Sequence, residues 1–365
     1  MKITILGRGN AGCLTALHYG YHTRNIKNIF VELIYDPAIP PEKVGQATLL
    51  AVPDLLWKAL GLNWYDNPIE ATPKLGILYE NWGRKNEKVI HPFPLDRVAL
   101  HYDPAKLQEV ILNSGYFTVQ KKHIDNYDEI DSDFIFDCRG KPADNWDDYE
   151  ELTNPLNSVL LGEGKYKEPD INWTRAVATP DGWTFVIPNT KQTTSYGYLY
   201  NDEITSTEEA TTNFEKIFSL EKQGVHQAEI SNLKFSNYIA KEPIIDNRII
   251  LGGNRLFFLE PLEATAVETY VVWARKTFDW IVNRTTTPDI ISQEIINYTH
   301  QLENYVNWHY TYGSKYDTPF WRNARKLKVE DPLFDAFVAY SEKTSMVELL
   351  DRESSSANDV YAQWA

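Results

Sequence analysis

Two cysteines, Cys13 and Cys138, are all that this 365-residue chain contains, and they stand far apart. So small a number supports neither a disulfide framework nor a zinc ribbon, and a reducing compartment fits it. No uninterrupted apolar run approaches the roughly 18 residues that a bilayer requires. The N-terminus also lacks a charged region, apolar core and small-residue cleavage site in series, and the strand-like Ile3 to Leu6 begins almost at Met1. The expectation is a cytoplasmic protein with no membrane partner. Cationic excess is missing too: 36 Lys and Arg stand against 51 Asp and Glu, a formal charge of -15. Such a surface repels phosphate backbones, which argues against a nucleic-acid partner. Internal repeats and low-complexity tracts are absent, as is the G-x-S-x-G turn of serine hydrolases. With 43% hydrophobic and 24% charged residues the composition is that of a folded globular chain.

Aromatic residues are abundant instead. Eleven Trp and 22 Tyr point first to aromatic core packing and second to a pocket for flat, electron-rich molecules. The chain opens on a strand over 2 to 6, the turn Gly7-Arg8-Gly9-Asn10-Ala11-Gly12, a helix from Cys13 to about Tyr21, and a second strand over 29 to 35. This is the order of a dinucleotide-binding unit, in which glycines let the backbone approach a pyrophosphate at a helix N-terminus. Of two acidic candidates for the ribose, Glu32 lies within the strand and Asp36 just beyond it, so Asp36 is favoured. A short helix is expected over 53 to 60, a connection over 85 to 97, a strand over 134 to 137, and a linker or surface excursion over 141 to 172. Strands follow at 183 to 187 and 196 to 200, and Ser206 to Glu209 reads as a helix-opening capping box. Another strand over 248 to 252 ends in a glycine pair beginning at Gly252, a long helix spans 264 to 282, and the tail from 286 is helical before a mobile polar run over 352 to 359. His18 and His22 have i, i+4 spacing but lack the glutamate of a zinc protease, and no metal is expected.

Gly182 to Pro188 (G-W-T-F-V-I-P) resembles the W-x-W-x-I-P signature of the flavin-dependent halogenases, with Phe185 in place of the second Trp. Phe258 to Ala266 (F-L-E-P-L-E-A-T-A) resembles that family's F-x-x-P-x-x-S-x-G, with Ala264 and Ala266 replacing Ser and Gly. Val44 to Thr48 is similar to its G-E-A-T flavin loop, Lys74 to Trp82 to the segment with its essential lysine, and Phe136 to Gly140 to the flavoprotein D-C-S-G stretch. The likeness runs in order from residue 2 to about 285. The chain is shorter than the tryptophan halogenases, which suggests a reduced lid.

The resemblance implies an α/β fold: a Rossmann-like FAD-binding domain of the monooxygenase and halogenase type over 1–145 and 235–285, a substrate-side sheet over 146–234, and a helical region over 286–365. It implies reduced FAD, oxygen and a halide as co-reactants, a separate flavin reductase or diffusible reduced flavin as partner, and a small aromatic substrate. Gly7, Gly9, Asn10, Ala11, Gly12, Asp36, Gly45, Gln46, Ala47, Thr48 and Gly252 would contact the cofactor. Lys74 would relay hypohalous acid, Glu263 would polarise it or take the ring proton, and the backbone at Thr265 and Ala266 would hold the halide. Trp183, Phe185 and Pro188 would wall the substrate from the flavin. Bromide or iodide is expected to be favoured over chloride, because the signature has lost a hydroxyl at Ala264 and its Ala266 methyl restricts the backbone. The alternatives are a hydroxylating flavin monooxygenase, against which Lys74 and the 183 to 188 stretch speak, and an inactive flavin-binding protein, for which Ala264 and Ala266 speak.

Overall fold

In the computed structural model, which describes residues 1–41, 46–83, 88–94, 97–141, 146–164, 172–188, 193–225 and 229–328, two large sheets organise the chain. The first has the strand order Ile244–Ile245, Ile249–Leu251, Phe134–Asp137, Lys2–Leu6, Phe30–Tyr35, Thr118–Lys121, parallel throughout except at the Ile244–Ile245 end. Lys2–Leu6 lies between strands reached in opposite directions, so a crevice opens beyond its C-terminal end. That is where open α/β sheets take ligands. Ile3, Ile5 and Leu33 are wholly buried, as expected of a parallel sheet covered on both faces.

Helix α1 (Asn10–Thr23) begins three residues earlier than its apolar pattern suggests, directly after the glycine turn, and is buried along most of its length. Tyr19 ties it to a later helix, α5 (Thr265–Phe278), by donating to the Thr277 hydroxyl at 3.0 Å. Between them in sequence come α2 (Ala51–Leu60), α3 (Pro104–Leu112) and α4 (Thr207–Phe218), and after them α6 (Pro288–Tyr312) and α7 (Pro319–Ala324). Several starts are written locally. Asp103, Ser206, Thr287 and Thr318 accept backbone N–H bonds as caps, and Pro follows at the first helical position of α3, α6 and α7.

The second sheet has seven strands in the order Ser231–Lys234, Ser158–Gly164, Thr194–Tyr200, Gly182–Pro188, Trp173–Thr179, Gly76–Glu80, Lys88–Pro92. Two of its strands therefore come from 76–92, outside the 146–234 segment. Lys88–Pro92, inside the stretch read as a connection, is an edge strand with Val89 and His91 turned inward, and Pro92 sits at its end, where a missing N–H is tolerated. Ser158–Gly164 runs through the stretch read as a linker. Its two glycines disguise it, yet it pairs with strands on both sides. The helix expected over 264 to 282 is α5 followed by a π-helical turn, Asp279–Asn283. The tail helices pack on this second sheet through an aromatic cluster in which Trp82 meets Tyr310 and Trp321 at 5.8 and 5.4 Å between ring centroids. A large part of the aromatic excess is thus core. The expected mobile run over 352 to 359 lies outside the described residues.

Candidate active site

Three backbone segments meet at the start of α1, and only glycine permits the meeting. Gly7, at φ 99°, sits where a Cβ would come 2.6 Å from the Cys138 carbonyl oxygen, and a Cβ on Gly12 would come 2.0 Å from the Gly7 carbonyl oxygen. Gly253, at φ 58°, passes so close that a Cβ would lie 2.6 Å from that of Ala11. Gly9 is the N-cap residue of α1 with no side chain capping the turn, so the first amides, with buried Asn10 and Ala11, are aimed at the crevice. These features fit a dinucleotide pyrophosphate. Gly252 lies against the same turn, donating to the Asp137 carbonyl at 2.9 Å. Asp137, wholly buried, keeps its carboxyl below the ordinary range despite burial, because Arg139, Arg255 and Tyr127 surround it; its pairing with Arg255 joins the second and third of the three segments. Asp36 follows the second strand, receives the Ala38 N–H and binds His123 at 2.6 Å. Glu32 is buried in that strand, accepting from Thr4. The glycine pair advertised this approach, although its second member, Gly253, makes the closer contact. His18 and His22 lie away from the crevice, and burial drives His18 down to about 3 and keeps it neutral.

A cavity of about 370 Å³ continues from the crevice and reaches the second sheet. Asn10, Gln46 and Ala47 are among its lining, while Gly45 lies outside the described residues. Trp183, Phe185 and Ile187 line another wall, since alternate residues of one strand share a face. Phe185 lies over Gly197 on the neighbouring strand, where any Cβ would stand 2.1 Å from its ring. Pro188, at the end of that strand, is not in the lining; it pairs with Thr194.

At one end stand Lys74 and Glu263, both buried. Lys74 Nζ donates to the Thr48 carbonyl at 3.2 Å and sits 5.2 Å from the centre of the Phe93 ring. Thr48 is held in turn, its N–H on Leu100 O and its hydroxyl accepting from Leu100 N at 2.9 Å. Burial holds the lysine amine below its ordinary range, against the pull of Glu263 and Glu268, and lifts the Glu263 carboxyl, against the pull of Lys74.

The turn carrying Glu263 is strained. Glu263 and Ala264 both adopt left-handed backbone, at φ 69° and 57°, immediately before α5. Ala266 instead lies in the first turn of α5, where a methyl costs nothing, so the expected restriction at Ala266 is not found and the strain falls at 263 and 264. Ala266 lines the cavity; Thr265 is buried beside it and is not in the lining. Their N–H groups are among the unpaired donors that begin a helix.

Several buried polar groups around this end carry no motif. His91 Nδ1 and His309 Nε2 face Glu263 Oε1 at 3.9 and 3.7 Å. Burial lowers His91 to about 4 and His309 to about 3, so both rings are neutral. His309 Nδ1 lies 2.9 Å from the Tyr305 carbonyl, which fixes that nitrogen as the donor and leaves Nε2 to accept from Tyr79. Glu268 receives Ala51 N–H on both oxygens, at 2.9 and 3.1 Å, and burial raises it to about 7. Glu260, three residues before Glu263, is wholly buried and also raised to about 7. In the sequence these look like any other surface glutamate or core histidine, and only the packing of α6 and α2 distinguishes them.

Known proteins share this fold. The sequence profile of the family described as tryptophan halogenase matches residues 2–110 and 104–362. The tryptophan 6-halogenase ThaL of Streptomyces albogriseolus is 22% identical over 450 residues, covering 93% of this chain and 81% of its own. Among solved structures, BrvH, a flavin-dependent halogenase from Brevundimonas sp. BAL3, superposes with a TM-score of 0.74 at 18% identity, over 93% of this chain and 84% of that one. The tryptophan 6-halogenase SttH of Streptomyces toxytricini gives 0.76 at 20% identity, with the same coverage of 93% and 84%. The fold is that of the flavin-dependent halogenases, and because the family's profile spans nearly the whole chain, the protein belongs to the tryptophan halogenase family.

Proposed function

We propose that the protein halogenates electron-rich aromatic or heteroaromatic carbon, with Lys74 and Glu263 as its catalytic residues. The observation that carries this is that both are buried and line one cavity whose wall also includes Trp183, Phe185 and Ile187. The glycine cradle and the first amides of α1 would hold the FAD pyrophosphate, with Asp36 toward the ribose and Gln46 and Ala47 toward the cavity. Reduced FAD, delivered by a reductase or by diffusion, supplies hypohalous acid from oxygen and a halide when bound. Lys74 receives that acid, either hydrogen-bonding it or, as neutral amine, exchanging an N–H for an N–halogen bond with release of water, and presents the halogen to an arene held against the apolar wall. Glu263 accepts the proton leaving the ring carbon, restoring aromaticity; its raised pKa suits a base working near neutrality.

The halide would sit at the start of α5, on the N–H groups of Thr265 and Ala266. With no hydroxyl at Ala264 to replace lost water, the less tightly hydrated bromide and iodide are penalised least. A competition assay supplies reduced FAD, oxygen and equal concentrations of chloride, bromide and iodide to phenols, indoles and tryptophan. The expected products are brominated or iodinated, across more than one arene. A chloride-dominated product on tryptophan alone would overturn both the preference and the breadth.

A further inference from the structure

We infer that Glu260 is a positioning residue that locks the Trp183 indole as the cavity wall and couples that wall to the turn bearing Glu263. Its carboxylate joins three elements. Trp183 Nε1 donates to Oε2 at 2.8 Å from the wall strand, and the Tyr310 hydroxyl donates to Oε1 at 2.5 Å from α6. The Glu260 N–H itself is fixed by Asn237 Oδ1 at 2.8 Å.

A buried indole N–H needs an acceptor, but not a charged one. Trp82, Trp273 and Trp321 are satisfied here by the backbone carbonyls of Ala176, Leu251 and Thr179. At Trp183 the chain instead buries a carboxylate, which is costly for stability and gives a stronger, more directional bond. Trp183 differs from those three in lining the cavity, where a rotated ring would open the substrate space to the flavin side. Glu260 also precedes Glu263 by three residues across Pro261, so the ring and the base are held by one rigid segment.

This rests on the proposed halogenation at Lys74 and Glu263, and the test separates the two. Halogenated product and hydrogen peroxide are measured per reduced flavin oxidised, alongside FAD affinity and melting temperature. Glu260→Leu should bind FAD yet lose at least tenfold in halogenated product per flavin, with peroxide rising to match. Glu260→Gln, which still accepts from the indole, should recover to within threefold of wild type. Trp183→Phe should show the same loss, and Glu260→Leu should add little in that background. Should Glu260→Leu fail to fold, Tyr310→Phe, which removes one anchor and leaves the carboxylate, should give an intermediate loss. Full coupling in Glu260→Leu, or in Tyr310→Phe where that variant carries the test, overturns the inference alone, as do independent, additive losses from Glu260→Leu and Trp183→Phe. A wild-type protein forming no halide-dependent product overturns the inference and the reading beneath it.

Discussion

Lys74 is wholly buried, and its amine's hydrogen bond runs to a neutral carbonyl, that of Thr48. Such a group is expensive unless it works. Lys74→Ala should fold and bind FAD, because the neighbouring carboxyl, already raised by burial, becomes neutral rather than stranded. Halogenation should fall by at least about 100-fold, the scale of a positioned acid–base group, while peroxide release from reduced flavin persists. Retained halogenation at near wild-type rate with bulk hypohalous acid scavenged would remove Lys74 from the mechanism. At this scale the sequence was uneven. Lys74 and Glu263 were legible only through the segments around them, since a lone lysine after Pro73 and a glutamate near a helix start are ordinary surface features. Glu260, His91 and His309 were not legible, because their burial is decided by helices and strands distant in the chain.

The elements have their own tests. Gly9 sits at φ -62° and ψ 176°, open to any residue, whereas a Cβ on Gly12 would strike the Gly7 carbonyl oxygen at 2.0 Å. Gly9→Val should therefore melt near wild type but lose FAD affinity, and Gly12→Val should lose stability by about 3 kcal/mol or more, as overpacking against fixed backbone does. Wild-type flavin affinity in Gly9→Val, read by titration, would place the binding site elsewhere. In the signature turn, Ala264→Gly removes a left-handed alanine at φ 57° and should raise the unfolding free energy in urea by about 0.5 to 1 kcal/mol. A loss instead would mean that the turn is not strained there. The opening strand, glycine turn and helix were readable because their periodicity and punctuation are local. Ser158–Gly164 and Lys88–Pro92 were not, since glycines within one and prolines beside the other mimic loop chemistry, and only pairing partners far away in sequence make them strands.

Across the whole molecule, burial of neutral imidazoles ties stability to pH. His309 titrates at about 3 in the folded chain against 6.5 ordinarily, so the unfolded chain takes up a proton first as pH falls. Its contribution is complete above 6.5 and is lost progressively toward 3. The difference in unfolding free energy between wild type and His309→Gln should accordingly shrink on acidification, by up to about 1.4 kcal/mol per pH unit. Glu260 and Glu268, raised to about 7, act in the opposite sense between 4.5 and 7, but both proteins retain them and they cancel in the difference. A difference independent of pH would show that His309 takes up its proton in the folded chain as readily as in the unfolded one. The order of the seven-stranded sheet belongs to this scale as well, because strands from 76–92 and 231–234 end on opposite edges of one sheet and no local pattern predicts that.

One measurement bears most directly on halogenation through Lys74. Wild type and Lys74→Ala are incubated with reduced FAD, oxygen, a panel of phenols, indoles and other electron-rich arenes, and each halide in turn, and products are read by mass spectrometry. Wild type should give arenes carrying the mass and isotope pattern of the added halogen, none without halide, and Lys74→Ala at least about 100-fold less. Hydroxylated products independent of halide, or equal halogenation by the two proteins, would contradict it.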